Sequence, residues 1–332
     1  MTSTELLRTE HLTRHFKIGG ALSRLTLHAV DDVNFTIGER EIVALAGESG
    51  SGKSTIARLL ARIDKPTSGE VYFEGRPVSQ IRSRRDRLRY NGLVPMVFQD
   101  PFGSMNPVFR VQHGVLRSLK LHRPSLSAQE RSAEAARVFE AVGLGADMLS
   151  RFPYELSGGQ RQRVGFAQAL AMRPKLILAD EPVSMLDVSI RIGLLNLMAE
   201  LRDTMGVSVL YITHDIASAR YVADRLIVMY AGQIAESGPI EEVLADPRHP
   251  YTQLLLSAVP DPRAPLSAAG ESDRGEPPKV IDPTPGCRFR WRCPLAMDTC
   301  ATTTPLLAEL RPGHDAACHV AQADADQVKA FS

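Results

Sequence analysis

Gly47-Glu48-Ser49-Gly50-Ser51-Gly52-Lys53-Ser54-Thr55 is the stretch on which the reading of this chain turns. An apolar run, Ile42-Val43-Ala44-Leu45-Ala46, leads into it, and Ile56-Ala57-Arg58-Leu59-Leu60 follows with helical spacing. Strand, glycine-rich turn and helix in that order build an anion cradle. The glycines let the backbone curl until several N–H groups converge, and the helix N-terminus behind them adds partial positive charge. The pattern G-x-x-x-x-G-K-[ST] assigns Lys53 to the terminal phosphates of a nucleotide and the Ser54 hydroxyl to Mg²⁺. Gly47, Ser49, Gly50, Ser51, Gly52 and Thr55 complete the nucleotide-binding set. A plain Gly/Ser turn ending in a stray lysine competes poorly, since strand, helix and full motif are all present.

A second strand carries matching chemistry. Leu176-Ile177-Leu178-Ala179-Asp180-Glu181 is apolar and ends in two acids. Burying its apolar part places the acids at the carboxyl end of a sheet, where α/β folds bind ligands. Asp180 suits Mg²⁺, and Glu181 suits polarisation of an attacking water. Alone, the pair would read almost as well as two solvated carboxylates. His214 closes another apolar run, Leu210-Tyr211-Ile212-Thr213, and Gln99 follows Val94–Phe98. A lone histidine is more often structural. At a strand tip of this sheet it faces the terminal phosphate instead, and Gln99 is placed to sense Mg²⁺ and the water.

The alternation of short strands with helices predicts a largely parallel sheet. Strands are expected at Leu6–Phe16, Ala29–Ile37, Glu41–Ala46, Val71–Phe73, Val94–Phe98, Leu176–Ala179, Val207–Thr213 and Arg225–Met229, with a helix from Lys53 to about Ile63. Residues 104–172 read as mostly helical. Ser127 and Glu130 have capping-box spacing, Ala135, Val138, Phe139 and Val142 share one helical face, and Gly143 is a stop. Residues 260–286, rich in Pro, Gly, Ser and Asp, read as a linker. The 332 residues therefore divide into 1–259 and 260–332. Apolar content of 44% and charged content of 23% are ordinary for a globular protein, and the formal charge of +1 gives no global pull toward nucleic acid or anionic lipid. The basic run Arg82, Arg84, Arg85, Arg87 and Arg89 reads best as a solvated helix face. No stretch reaches the length of a membrane span, and Met1–Glu5 lacks a signal-peptide start, so the chain is expected in the cytosol with other chains crossing the membrane.

Between the two nucleotide motifs stands Leu156-Ser157-Gly158-Gly159-Gln160-Arg161. By itself it is a fair helix-start cap. In this order along the chain, the motifs resemble those of ABC-type ATPases. The resemblance implies an α/β P-loop ATPase core with a parallel sheet plus an antiparallel β edge, an inserted helical subdomain and a small C-terminal extension. It implies that Ser157, Gly158, Gly159 and Gln160 of one subunit cap the ATP held by its partner's phosphate loop. It makes Phe16 the ring that stacks on adenine, Gln99 the Q-loop residue, Asp187 the acid of the D-loop Ser184–Asp187, His214 the switch histidine and Glu181 the base. Val183 and Met185 stand where relatives often have Thr and Ala, which removes no functional group.

Finer resemblance lies in Met96–Pro107, in His249-Pro250-Tyr251-Thr252 with Leu255–Pro260, and in Cys287, Arg292-Cys293-Pro294 and Cys318-His319. These resemble the peptide/nickel importer branch, and most of all the F-type ATPase subunit of oligopeptide and dipeptide importers. That implies a second, D-type ATPase subunit, two transmembrane permease subunits and an extracytoplasmic binding protein as partners. It also implies residence on the cytoplasmic face of the inner membrane, with Phe102–Asn106 meeting the permeases. The same branch handles oligosaccharides and nickel. A soluble ABC ATPase is a rival reading, opposed by the single cassette without long insertions. A cassette that only binds ATP is another, opposed by Glu181 and His214.

Cys287, Cys293, Cys300 and Cys318, spaced C-x5-C-x6-C-x17-C, are the only cysteines. Four thiolates suit Zn²⁺ or a [4Fe–4S] cluster, and empty or disulfide-linked thiols remain open. No tight zinc knuckle is present, and the resemblance favours the cluster. Arg288–Arg292, between the first two, read as a shield for it.

Overall fold

The structure, a computed structural model, describes residues 4–19, 25–100, 103, 105–184, 186–257 and 280–330, with 326–330 described by backbone alone. Strands β1 (Glu5–Lys17) and β2 (Thr26–Gly38) form the long antiparallel pair, and β3 (Ile42–Ala46) begins the central sheet. β4 (Ser68–Phe73) and β5 (Arg76–Pro77) complete an antiparallel sheet ordered β2-β1-β4-β5. The central sheet takes β6 (Met96–Val97), β7 (Leu176–Asp180), β8 (Ser208–Thr213) and β9 (Arg225–Tyr230) in parallel with β3, in the order β9-β3-β8-β7-β6. The parallel core thus stands as the alternation of strands and helices predicts, and the antiparallel edge as the resemblance implies.

Alternation along the central strands divides the core. Ile42, Ala44, Ala46, Ile177, Ala179, Val209 and Tyr211 join the core on the helical side of the sheet. Val43, Leu45, Leu176, Leu178, Leu210 and Ile212 join the core shared with the antiparallel sheet and the helix Lys53–Leu60. Both faces are buried, which is why these strands read as continuous apolar runs. Each buried Leu, Ile or Val contributes roughly 1.5–3 kcal/mol relative to exposure.

The helical subdomain comprises Gln112–His122, Ala128–Ala141 and Gly158–Leu170, with short 3₁₀ turns between the last two. Ser127 and Glu130 form the expected capping box. Ala135, Val138, Phe139 and Val142 are buried, and Gly143 ends the element at φ 71°. The basic run is exposed, with Arg84, Arg85, Arg87 and Arg89 on the helix Arg84–Leu93 and Arg82 just before it. The expected strand Val94–Phe98 shortens to Met96–Val97 because its parallel pairing with β7 ends there.

The chain after residue 280 is not peripheral to the sheet. Strand β10 (Gln233–Pro239) runs antiparallel to β9, and β11 (Ala308–Arg311) and β12 (His314–Ala316) extend the sheet beyond it. This hairpin escaped the sequence reading, although Pro312-Gly313 signals its turn and Gly313 takes φ 74°. Most of the expected linker lies outside the described residues. Its end, Val280–Asp282, hydrogen-bonds to the start of β2.

Glu236 locks β10 to β12. It is fully buried, accepts the N–H groups of Arg248 (2.7 Å) and His249 (2.9 Å), and faces His314 Nε2 at 2.7 Å. Glu236→Ala leaves these donors unsatisfied and is expected to cost about 3–5 kcal/mol. Urea unfolding followed by the single tryptophan, Trp291, checks this.

Candidate active site

Parallel strands β3, β7 and β8 end at one edge, so the turns after them meet there. After β3 the chain curls through Gly47, Gly50 and Gly52, at φ 152°, 78° and 105°. Two of these glycines are also demanded by space. A Cβ at Gly47 would lie 2.2 Å from the Met229 carbonyl, and one at Gly52 the same distance from that of Ala29. Gly52 then caps the helix Lys53–Leu60.

Lys53 turns back into this curl. Its ammonium donates to the carbonyls of Gly47 (2.7 Å) and Glu48 (2.8 Å), and the residue is only 4% exposed. Burial pulls the Lys53 pKa down, and the charges of Glu181, Asp180 and Glu48 oppose that pull. The result is a buried cation seated on backbone carbonyls inside the curl, a charge suited to a polyphosphate.

Ser54 Oγ donates to Asp180 Oδ1 at 3.0 Å. Burial pushes the Asp180 pKa up; the Ser54 hydrogen bond and the Lys53 charge lower it, and Glu181 raises it further. A hydroxyl and a carboxylate side by side are hard oxygen donors of the kind Mg²⁺ takes. The expected Mg²⁺ set divides here, because Gln99 is engaged elsewhere. Its Nε2 donates to Glu181 Oε2 at 2.9 Å and to Ser184 Oγ at 3.3 Å. His214 Nδ1 lies 3.3 Å from the same Glu181 oxygen. Glu181 itself sits in the left-handed region at φ 44°, while its N–H still continues the ladder to the Ile212 carbonyl. Holding a glutamate there costs about 1–3 kcal/mol, a form of strain that clusters at active sites.

The Ser157–Gln160 motif lies apart, packed against other elements. Ser157 and Gln160 form a capping box on Gly158–Leu170, so the helix-cap reading holds structurally. A Cβ at Gly159 would fall 2.3 Å from Ile190 Cγ2, which explains the glycine by helix packing as well. Ser157 is exposed, as is Asp187, which starts the helix Val188–Met205 without a side-chain cap. Met185 of the D-loop lies outside the described residues. Phe16 is half-buried, belongs to neither core cluster and carries Arg14 over its ring at 4.4 Å.

All four cysteines border one small cavity with Phe289 and Arg290. Burial pushes the Cys287 thiol up to about 11 and raises that of Cys318. Among the described residues no three cysteine sulfurs come within 4.8 Å of one another. A tetrahedral zinc site, with bonds of about 2.3 Å, needs sulfurs about 3.8 Å apart, so no such centre is preformed. The expected shield is corrected too. Phe289 is buried, but Trp291 is 82% exposed, and Arg288 and Arg292 turn away toward Asp31 and Glu48.

With this geometry in hand, likeness to known proteins narrows the class. Residues 30–184 match the ABC transporter family, and residues 235–300 match the oligopeptide/dipeptide transporter C-terminal region. A Brucella ovis protein, provisionally named a peptide import ATP-binding protein, is 43% identical over 96% of this chain and 98% of its own. The Bacillus subtilis oligopeptide transport ATP-binding protein AppF is 38% identical over 95% of this chain and 97% of its own. Among solved structures, the ADP- and Pi-bound dimeric cassette MJ0796 superposes with a TM-score of 0.63 at 30% identity, covering 71% of this chain and 99% of that one. CbiO1 from Clostridium perfringens gives 0.62 at 28% identity, covering 73% and 92%. The chain belongs to the ABC transporter ATP-binding proteins, in the branch that carries the oligopeptide/dipeptide C-terminal region. It is an ATPase cassette, as its motifs imply, and among its described residues no helix is long and apolar enough to cross a membrane.

Three contacts of this site escaped the sequence reading: Ser184 with Gln99, Tyr251 with Glu48, and Arg292 with Glu48. The raised Asp180 pKa yields a pH test. Below it the carboxyl is neutral and cannot hold Mg²⁺, so the Mg²⁺ concentration for half-maximal ATPase activity is expected to climb as pH falls toward it. Asp180→Asn is expected to flatten that climb, as steady-state assays across pH and Mg²⁺ concentration would show.

Proposed function

We propose that this chain is the F-type motor subunit of a peptide importer, converting ATP and water to ADP and phosphate to drive uptake of oligopeptides or dipeptides. The convergence of Lys53, the Ser54–Asp180 pair and Glu181 at one sheet edge carries the reading. Lys53 neutralises charge on the transferring phosphoryl group. Ser54 and Asp180 would hold Mg²⁺, which supplies further charge neutralisation there. Glu181 accepts a hydrogen bond from the attacking water, and Gln99 and His214 fix its carboxylate. Catalysis is then positioning and electrostatics.

Two cassettes close head-to-tail in this reading. One chain gives its phosphate loop and the other gives Ser157–Gln160. The exposed Ser157 and Asp187 support this, as does the dimeric state of the MJ0796 cassette. The partner cassette is a related D-type subunit, and two permeases and an extracytoplasmic binding protein complete the importer. The chain sits peripherally on the cytoplasmic face of the membrane. Phe98, Val108 and Phe109 are exposed apolar side chains flanking the segment after Gln99 and suit a permease contact; Phe102 and Ser104 lie outside the described residues. The peptide substrate rests on the C-terminal match and on the named relatives.

The four cysteines hold a [4Fe–4S] cluster in this proposal. Their shared cavity supports it.

The test is the assembled complex in vesicles. Peptide-loaded binding protein is expected to stimulate ATP hydrolysis several-fold, with iron and sulfide both found in the purified chain. Stimulation by nickel or an oligosaccharide but by no peptide would reject the substrate, and colourless protein holding one zinc would reject the cluster.

A further inference from the structure

The phosphate loop is gripped from outside the ATPase core. Arg292 lays two guanidinium nitrogens on the Glu48 carboxylate at 2.8 and 2.9 Å, with only 10% of its side chain exposed. The Glu48 N–H donates to the Tyr251 hydroxyl at 2.9 Å, and Tyr251 packs its ring on Tyr230 and Phe289. A second arginine of the same segment, Arg288, donates to the Ala231 carbonyl at 2.5 Å and to the Asp31 carboxylate. Ala231 opens the tight turn from β9 to β10. The next N–H in that turn, of Gly232, donates to the Ser51 carbonyl at 2.9 Å. Glu48 and Ser51 of the loop are therefore both held, one directly and one through a turn, by arginines strung between Cys287 and Cys293.

The physics favours a functional effect over a surface ornament. A bidentate arginine–carboxylate pair is directional as well as strong, and partial burial removes most of the screening that weakens exposed pairs. The Glu48 charge reaches Lys53. Left uncompensated at the rim of an anion cradle, that carboxylate would repel a polyphosphate. With Arg292 on it, the rim is neutral and the loop keeps its curl.

We propose that Arg288 and Arg292 are positioning residues of the ATPase site. They hold the phosphate loop in its nucleotide-accepting shape and cancel the Glu48 charge, so the order of the cysteine-bearing segment sets the affinity for ATP. The proposal rests on the ATPase reading of the loop and deepens it by giving the C-terminal extension a part in the site.

The experiment measures the ATP dissociation constant of the full chain by direct titration, together with KM and kcat. Arg292→Ala is expected to raise Kd and KM about tenfold with a much smaller change in kcat. Adding Glu48→Gln to Arg292→Ala is expected to recover at least about threefold of that affinity, by removing the repulsive charge. Trp291→Ala, in the same segment but largely exposed, is expected to leave Kd within about twofold. A Kd for Arg292→Ala within about twofold of the unsubstituted chain overturns the proposal, as does an equal loss with Trp291→Ala or no recovery with Glu48→Gln. Kd is read without turnover, so a chain that binds ATP without hydrolysing it counts against the ATPase reading alone and leaves the role of the two arginines to be decided by Kd.

Discussion

A buried ammonium inside a curl of backbone is the constraint on which the rest of this molecule depends. Lys53 is almost wholly enclosed, and its charge is sustained by three carboxylates nearby and by the carbonyls it touches. The curl exists only because Gly47 and Gly52 admit the carbonyls of Met229 and Ala29 where a side chain would stand. Those carbonyls belong to β9 and β2, so both sheets must be assembled before the cradle has its shape. Parallel β3, β7 and β8 then deliver Ser54, Asp180, Glu181 and His214 to the same edge.

The parts legible in sequence were those governed by local chemistry. The glycine pattern, the paired acids at the end of β7 and the Ser127–Glu130 capping box each satisfy backbone or charge needs within a few residues, so short spacing reveals them. Doubly buried strands announced themselves as apolar runs. What stayed hidden depends on distant partners. The β11–β12 hairpin is too short to stand alone and becomes strand only by adding to β10. Arg292 meets Glu48 across 244 positions, and no local pattern distinguishes it from Arg290. The residue types between Cys287 and Cys293 suit a shield for the cysteines. The fold turned Arg292 onto the phosphate loop and Arg288 onto the β9–β10 turn that holds it, and left Trp291 in solvent.

The Ser157–Gln160 motif shows how one segment answers two demands. Within the chain it is a capped helix start whose Gly159 lets Gly158–Leu170 approach Ile190. Its exposed hydroxyl serves nothing inside the chain that the cap does not already explain. That surplus is what a partner cassette would use, and it agrees with a motor whose sites are completed between subunits.

The central claim is that Glu181, strained at the tip of β7 and held by Gln99 and His214, activates water beside the loop that binds ATP. Single-turnover hydrolysis by Glu181→Gln, with bound ATP quantified in the same samples, tests it most directly. ATP is expected to be retained at near-normal affinity while hydrolysis falls at least about a hundredfold. Hydrolysis at close to the rate of the unsubstituted chain would contradict it.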